Sequence, residues 1–234
     1  MWSPYQKKVT CNPYFSTITY YRKPCPFASR DFSSSSIDST DSTLLESRSD
    51  SISRTKSIIR QYAFNNHWDY FVTLTFSPLY VNRESLSDIK KLIYCYSRYL
   101  HNHGCNYIFI PEYHSDRKSI HLHGLISGSL GVLSSGHYSI KGHNLIYNIP
   151  SWKYGFGSAI VINQQSLDYI RISNYILKYV TKDLIVQFGK RRYFASNGLK
   201  KDTLLSISNY YGNPYNSLDF SFRSCFVVKI ITNY

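Results

Sequence analysis

The chain has 234 residues, enough for one domain with an appendage or two small domains, and enough to bury a sizeable core. Lys and Arg number 27 against 14 Asp and Glu, a formal charge of +13, which directs attention to a polyanionic partner, nucleic acid before anionic membrane. No apolar run approaches the ~18–20 residues of a membrane span and the opening MWSPYQKKVTCNPYF has no apolar signal stretch, so a cytoplasmic protein with no membrane partner is expected.

Residues 1–27 carry four prolines and several aromatics, and whether they pack is left open by their composition. Residues 28–57 are dominated by Ser, Thr and Asp, with too few apolar side chains to offset the entropy of ordering them, so a disordered linker is expected there. Residues 1–57 thus read as an N-terminal extension and 58–234 as the folded domain. DYFVTLTF (69–76) reads as a buried strand ending at Ser77-Pro78. In 85–101, Leu86, Ile89, Leu92, Ile93, Tyr96 and Leu100 recur every three or four residues before Gly104, the pattern of an amphipathic helix.

NYIFIPEYH (106–114) and SIHLHGLI (119–126) flank the polar turn SDRK and predict a hairpin. Residues 127–157, rich in Gly and Ser and containing WKYGFG, read as a long loop, and SAIVIN (158–163) as a short strand. Residues 166–188 show helical spacing again, and SFRSCFVVKIIT at the end reads as a strand. This order of elements describes an α+β domain with an antiparallel sheet and flanking helices. The five cysteines are scattered, form no C-x-x-C pair and read as free thiols.

His121 and His123 lie two residues apart, so on a strand both imidazoles leave one face while Leu122 points to the other. A hairpin centred between Asp116 and Arg117 sets Glu112 opposite His121, and opposite residues of an antiparallel pair share a face. Glu112, His121 and His123 are therefore candidate ligands for one divalent cation, in a cluster that a one-residue register slip would destroy. Taken alone, the same histidines fit a partly buried sheet equally well.

In the stretch from Tyr175 to Lys182, Tyr-x-x-Lys occurs twice, so a helix sets Tyr175 beside Tyr179 and Lys178 beside Lys182. A phenol with a reference pKa of about 10 becomes a nucleophile with a nearby cation and with charge withdrawn from the atom under attack. An ordinary amphipathic helix, with Tyr inward and Lys in solvent, fits this stretch as well. His101 and His103 also form an H-x-H, but around Asn102 and just before Gly104, where helix capping is the better reading. Lys190, Arg191 and Arg192 read equally as a solvated loop or a phosphate contact, and His114, His137 and His143 receive no role.

FVTLTF, IHLHGLI and YILKYVTK, in that order and at that spacing, resemble the three motifs of HUH endonucleases (His-hydrophobic-His), in particular the two-tyrosine rolling-circle replication initiators of small phages and plasmids, including microvirus replication proteins. PEYH, NIPSWKYGFG and KRRYFASNGL resemble a bacterial phage and plasmid replication-associated group, and the resemblance spans roughly residues 54–200. It implies a ferredoxin-like, RRM-like palm with His121, His123 and Glu112 as ligands of Mg²⁺ or Mn²⁺ and Tyr175 and Tyr179 as the nucleophile pair, with Lys178 and Lys182 at the helix lysines. It further implies single-stranded DNA at a replication origin as substrate, nicked and rejoined through a 5′-phosphotyrosine in a bacterial host cytoplasm, with a host helicase and polymerase as partners. No G-x-x-x-x-G-K-[ST] helicase loop occurs in the sequence. A transposase or relaxase would use the same chemistry, and a degenerate member would bind single strands without cutting.

Overall fold

The computed structural model describes residues 5–21, 41–114, 116, 118–139, 144–163, 167–180, 192–211, 222–223 and 227–233. In chain order the first elements are β1 (Tyr5–Cys11), β2 (Phe15–Tyr21), α1 (Asp41–Asn65), β3 (Tyr70–Thr75) and α2 (Leu86–Asn102). β4 (Asn106–Tyr113), β5 (Ile120–Ser127), β6 (Leu133–Tyr138), β7 (Leu145–Asn148) and β8 (Gly157–Val161) follow. Then come α3 (Leu167–Tyr175), a 3₁₀ turn (Ile176–Tyr179), β9 (Phe194–Ala195), β10 (Thr203–Tyr210), β11 (Phe222–Arg223) and β12 (Val227–Asn233). Among the described residues, no helix is long and apolar enough to cross a membrane.

Residues 43–200 form one unit. Its seven strands make an antiparallel sheet of order β6-β7-β8-β3-β5-β4-β9, the expected α+β architecture. The alternation of FVTLTF divides the central strand β3 between two faces: Val72 and Leu74 enter the core, while Phe71, Thr73 and Thr75 face the other way. α2 closes the core with Ile89, Ile93, Tyr96 and Leu100, each 2% exposed or less. The Ser85 hydroxyl caps its first turn by accepting from the Asp88 amide, and His103 ends it, its Nδ1 donating to the Tyr99 carbonyl at 2.7 Å. The H-x-H of His101 and His103 is thus a helix end, as its setting before Gly104 indicated.

Residues 1–42 with 201–234 form the second unit, a five-stranded sheet of order β10-β1-β2-β12-β11. Asn12 turns the chain between β1 and β2 by accepting from the amides of Tyr14 and Phe15. The boundary read at residue 58 is therefore corrected twice over. The N-terminal strands pair with the C-terminal ones, so the chain end is not part of the unit that holds residues 58–200. Residues 41–57 of the expected disordered linker lie in α1, while 22–40 are outside the described residues. α1 forms because Ile52, Ile59, Ala63 and Phe64 make one buried stripe, and the indole of Trp68 donates to the Ala63 carbonyl just past its end. The apolar residues of that stripe straddle the point where the Ser-rich composition ends, which is why composition alone missed the helix.

Two further expectations are corrected. Within the loop read over 127–157, β6 and β7 form a hairpin that extends the sheet beyond β8. These strands are short and half-exposed, held by backbone pairing rather than by apolar burial, and so carry little alternation. The helix read over 166–188 is α-helical only to Tyr175, then tightens into a 3₁₀ turn and leaves helical geometry at Val180 (φ −82°, ψ 86°). A 3₁₀ turn superposes residues three apart, and here it sends both Ile176 and Tyr179 into buried positions. The last strand, read as SFRSCFVVKIIT, is found as β11 and β12.

Gly124 follows the H-x-H because β5 crosses Phe109 of β4 there. A Cβ at Gly124 would stand 2.5 Å from the Ile108 carbonyl oxygen and 2.5 Å from Phe109 Cδ1. The ring can turn but the backbone carbonyl cannot, so Gly124→Ala is expected to cost about 1–3 kcal/mol of stability in urea unfolding. An unchanged midpoint would show that the two strands spread without strain.

Candidate metal and tyrosine site

The hairpin pairs in the expected register: Glu112 lies opposite His121 and Tyr113 opposite Ile120. Asp116 anchors the turn, accepting from the Ser119 hydroxyl at 2.6 Å and from the amides of Ser119 and Lys118, bonds that hold its carboxyl well below the usual range. Glu112, His121 and His123 consequently share the sheet face turned away from α2. Glu112 Oε2 and His123 Nε2 are 3.1 Å apart, and the His121 and His123 ring centroids 5.5 Å. The other nitrogen of His123, Nδ1, lies 3.2 Å from the Thr73 hydroxyl.

These donors suit a hard divalent cation. Two ligands at right angles on an ion with ~2.1 Å bonds stand ~3 Å apart, close to the Glu112–His123 separation. Thr73 would then receive the Nδ1 proton and leave the Nε2 lone pair free, the usual outer support of a ligating histidine. Among the described residues no three His, Cys, Asp or Glu side chains are drawn together closely enough to enclose an ion. His121 is the looser member, its ring 4.8 Å from that of His114.

Burial pushes His123 down to about 3, with His121 and Lys178 acting in the same direction, and burial also lowers His121. Burial raises Glu112, partly offset by Lys178. Opposite charges 3.1 Å apart would attract, yet desolvation outweighs this for His123, whose side chain is 12% exposed, so the folded state favours the neutral imidazole. Neutral imidazole is also the metal-ligating form.

A histidine lowered on folding binds fewer protons folded than unfolded. Its stabilisation is therefore complete above its ordinary 6.5 and is lost as the pH falls below that value. In EDTA, stability is expected to fall from pH 6.5 to pH 5 with a slope of about 1.4 kcal/mol per pH unit from His123 alone. The Glu112 carboxyl acts in the opposite sense nearer its ordinary 4.5. His123→Phe keeps a ring in place and should flatten the fall; an equal slope in both proteins would locate the titration elsewhere.

The tyrosines stand against this cluster. The Tyr179 ring stacks on that of His123, centroids 3.7 Å apart and 16° between planes, and Tyr175 meets Tyr179 edge-on at 5.3 Å. Phe71 of β3 lies under both, 5.5 Å from Tyr175 and 6.3 Å from Tyr179. The two phenols differ in their surroundings: Tyr179 is 7% exposed and Tyr175 45%. Burial, then a hydrogen bond with Tyr175, raise Tyr179 well above the usual phenol range. The ammonium of Lys178 lies 5.6 Å from the centre of the Tyr175 ring. Lys182 falls outside the described residues, as do Lys190 and Arg191; Arg192 is half-buried beside Arg54.

Residues 69–184 match the family model described as replication-associated protein of the ORF2 type. The matched segment is that of a replication-associated protein. It begins just before β3 and contains Glu112, His121, His123, Tyr175, Lys178, Tyr179 and Lys182. The match supports a role in initiating replication and, in general terms, a nicking activity. No curated protein and no solved structure matches the chain.

Within the replication-associated segment, sequence reading passed over two side chains at the cluster. Thr73 supports His123, and its signal was there in the alternation of FVTLTF, which sets Thr73 and Thr75 on one face. His114 reaches His121 because its amide continues the hairpin by donating to the Ser119 carbonyl. WKYGFG proves to be a strap along the end of β3: the Trp152 indole donates to the Thr75 carbonyl, and the Thr75 and Ser77 amides donate to the carbonyls of Phe156 and Tyr154. Gly155 permits this approach, since a Cβ there would collide with the Thr75 carbonyl.

Proposed function

We propose that this protein is a rolling-circle replication initiator that nicks single-stranded DNA through a tyrosine and remains covalently attached until the strand is rejoined. The observation that carries the reading is the stack of Tyr179 on His123, which brings a two-tyrosine element onto the same face as Glu112 and the paired histidines.

Glu112, His121 and His123 would hold Mg²⁺ or Mn²⁺, and the bound ion would supply Lewis-acid polarisation of the scissile phosphate. Tyr175 presents its phenol to solvent beside Lys178 and is the nucleophile of the first cut. Its oxygen bonds to phosphorus as the bond to the 3′ oxygen breaks. The phenol proton passes to solvent, and the departing 3′ oxygen takes one up. The product is a 5′-phosphotyrosine and a free 3′-hydroxyl, and attack by a 3′-hydroxyl reverses the step without ATP. Tyr179, protonated and packed on His123, must swing out before it can attack, which suits a second transfer following the first. Thr73 keeps the His123 ring oriented throughout.

The test is incubation of labelled single-stranded DNA from the replicon's own origin with the full chain in Mg²⁺, in Mn²⁺ and in EDTA. A metal-dependent nick with DNA attached to a tyrosine of residues 175–179 supports the reading. Nicking undiminished in EDTA, or cleavage with no covalent adduct, refutes it.

A further inference from the structure

Beyond β3 from His123, on the same face of the seven-stranded sheet, lies a cavity of about 440 Å³ that the nicking chemistry leaves unused. Ser135, His137, Ile146, Asn148, Phe156 and Ser158 line it. The ladder sets its place: His123 pairs with Thr73, Thr73 with Ser158, and Ser158 with Asn148. Paired residues share a face, so from His123 to Asn148 the row crosses three strand spacings, about 14 Å.

The lining says what kind of group fits. It holds no carboxylate, ammonium or guanidinium, so it is not built for a phosphate. The volume falls within the ~300–1,000 Å³ of small-molecule sites. Phe156 is 59% exposed, an unusual state for a ring that lines a cavity, and offers a stacking surface. Asn148 Oδ1 is shielded from solvent and has no hydrogen-bond partner among the described residues, a state that is costly until a donor meets it. The Ser135 hydroxyl spends its proton on the Ile146 carbonyl at 2.6 Å, and the Ser158 hydroxyl points its own at the Thr73 carbonyl at 3.5 Å. Both oxygens are left as acceptors. A planar, neutral ligand rich in N–H donors satisfies all of these groups.

We propose that this cavity seats a nucleobase of the strand held at the histidine site, stacked on Phe156 and met by the amide of Asn148, with amino-bearing cytosine taken in preference to thymine. This rests on the single-strand reading above and adds to it a base-reading subsite some 14 Å from the scissile phosphate.

Fluorescence anisotropy of the full chain with labelled oligodeoxycytidylate, oligothymidylate and an abasic oligomer of equal length tests it. The wild type is expected to bind the cytosine oligomer about fivefold tighter than the thymine oligomer, and both tighter than the abasic one. Phe156→Ala should weaken both base-bearing oligomers about tenfold and leave the abasic oligomer unchanged. Phe156→Leu, which keeps apolar bulk without a ring face, should behave alike. Asn148→Ala should abolish the preference for cytosine. Variants that bind all three oligomers as the wild type does, or that weaken the abasic oligomer equally, overturn the pocket while metal-dependent nicking leaves the wider reading standing. A wild type that binds none of the oligomers overturns both.

Discussion

His123→Ala is expected to reduce metal-dependent nicking by more than about a hundredfold while leaving binding of single-stranded DNA within a few-fold of wild type. Losing an outer partner of a metal ligand already costs about 10–100-fold, so losing a ligand costs more. His123 is also the most tightly held of the three, touching Glu112 through Nε2, Thr73 through Nδ1 and the Tyr179 ring through its face. Binding survives because affinity for a polyanion comes chiefly from Lys and Arg, of which the chain has 27. Removing His123 also removes packing, so His121→Ala, at a half-exposed position, serves as the companion variant. Both should lose the step in activity between EDTA and Mn²⁺. A His121→Ala, His123→Ala double variant that still nicks in response to metal would place the ion elsewhere.

Tyr175→Phe is expected to remove nearly all of the first covalent adduct, whereas Tyr179→Phe should leave the first cut and impair the second strand transfer. Spacing along the chain treats the two tyrosines alike, since each is followed three residues later by lysine. Their surroundings do not: Tyr175 is 45% exposed with an ammonium beside it, while Tyr179 is 7% exposed and pushed well above the ordinary phenol range. Phenylalanine removes the nucleophilic oxygen but preserves the ring contacts with Phe71 and His123, so a loss of adduct reports on chemistry rather than folding. Peptide mapping of DNA trapped on the protein reads the result. An adduct on Tyr179 in the first turnover would reverse the order, and an adduct surviving in the double Phe variant would remove both residues from the mechanism.

Local pattern determined the elements that frame the site. The alternation of FVTLTF, the three- and four-residue spacing from Ile89 to Leu100, and the turn between Glu112 and His121 each depend on residues near one another in the chain, and all three are present as read. The register of β4 and β5 was legible because a short hairpin leaves few ways to pair its arms.

What lay outside the sequence depended on partners far apart in the chain. Nothing local to Tyr5–Tyr21 indicates that these strands pair with residues 203–210 and 227–233, so the division into two units was read at the wrong place. β6 and β7 are held by edge pairing, which leaves no apolar alternation to detect. The change from α-helix to 3₁₀ turn at Tyr175 follows the burial of Ile176 and Tyr179, a tertiary demand that overrides helical spacing. The inequality of the two tyrosines has the same origin, because exposure and stacking on His123 are properties of the packed sheet face and not of the Tyr-x-x-Lys repeat.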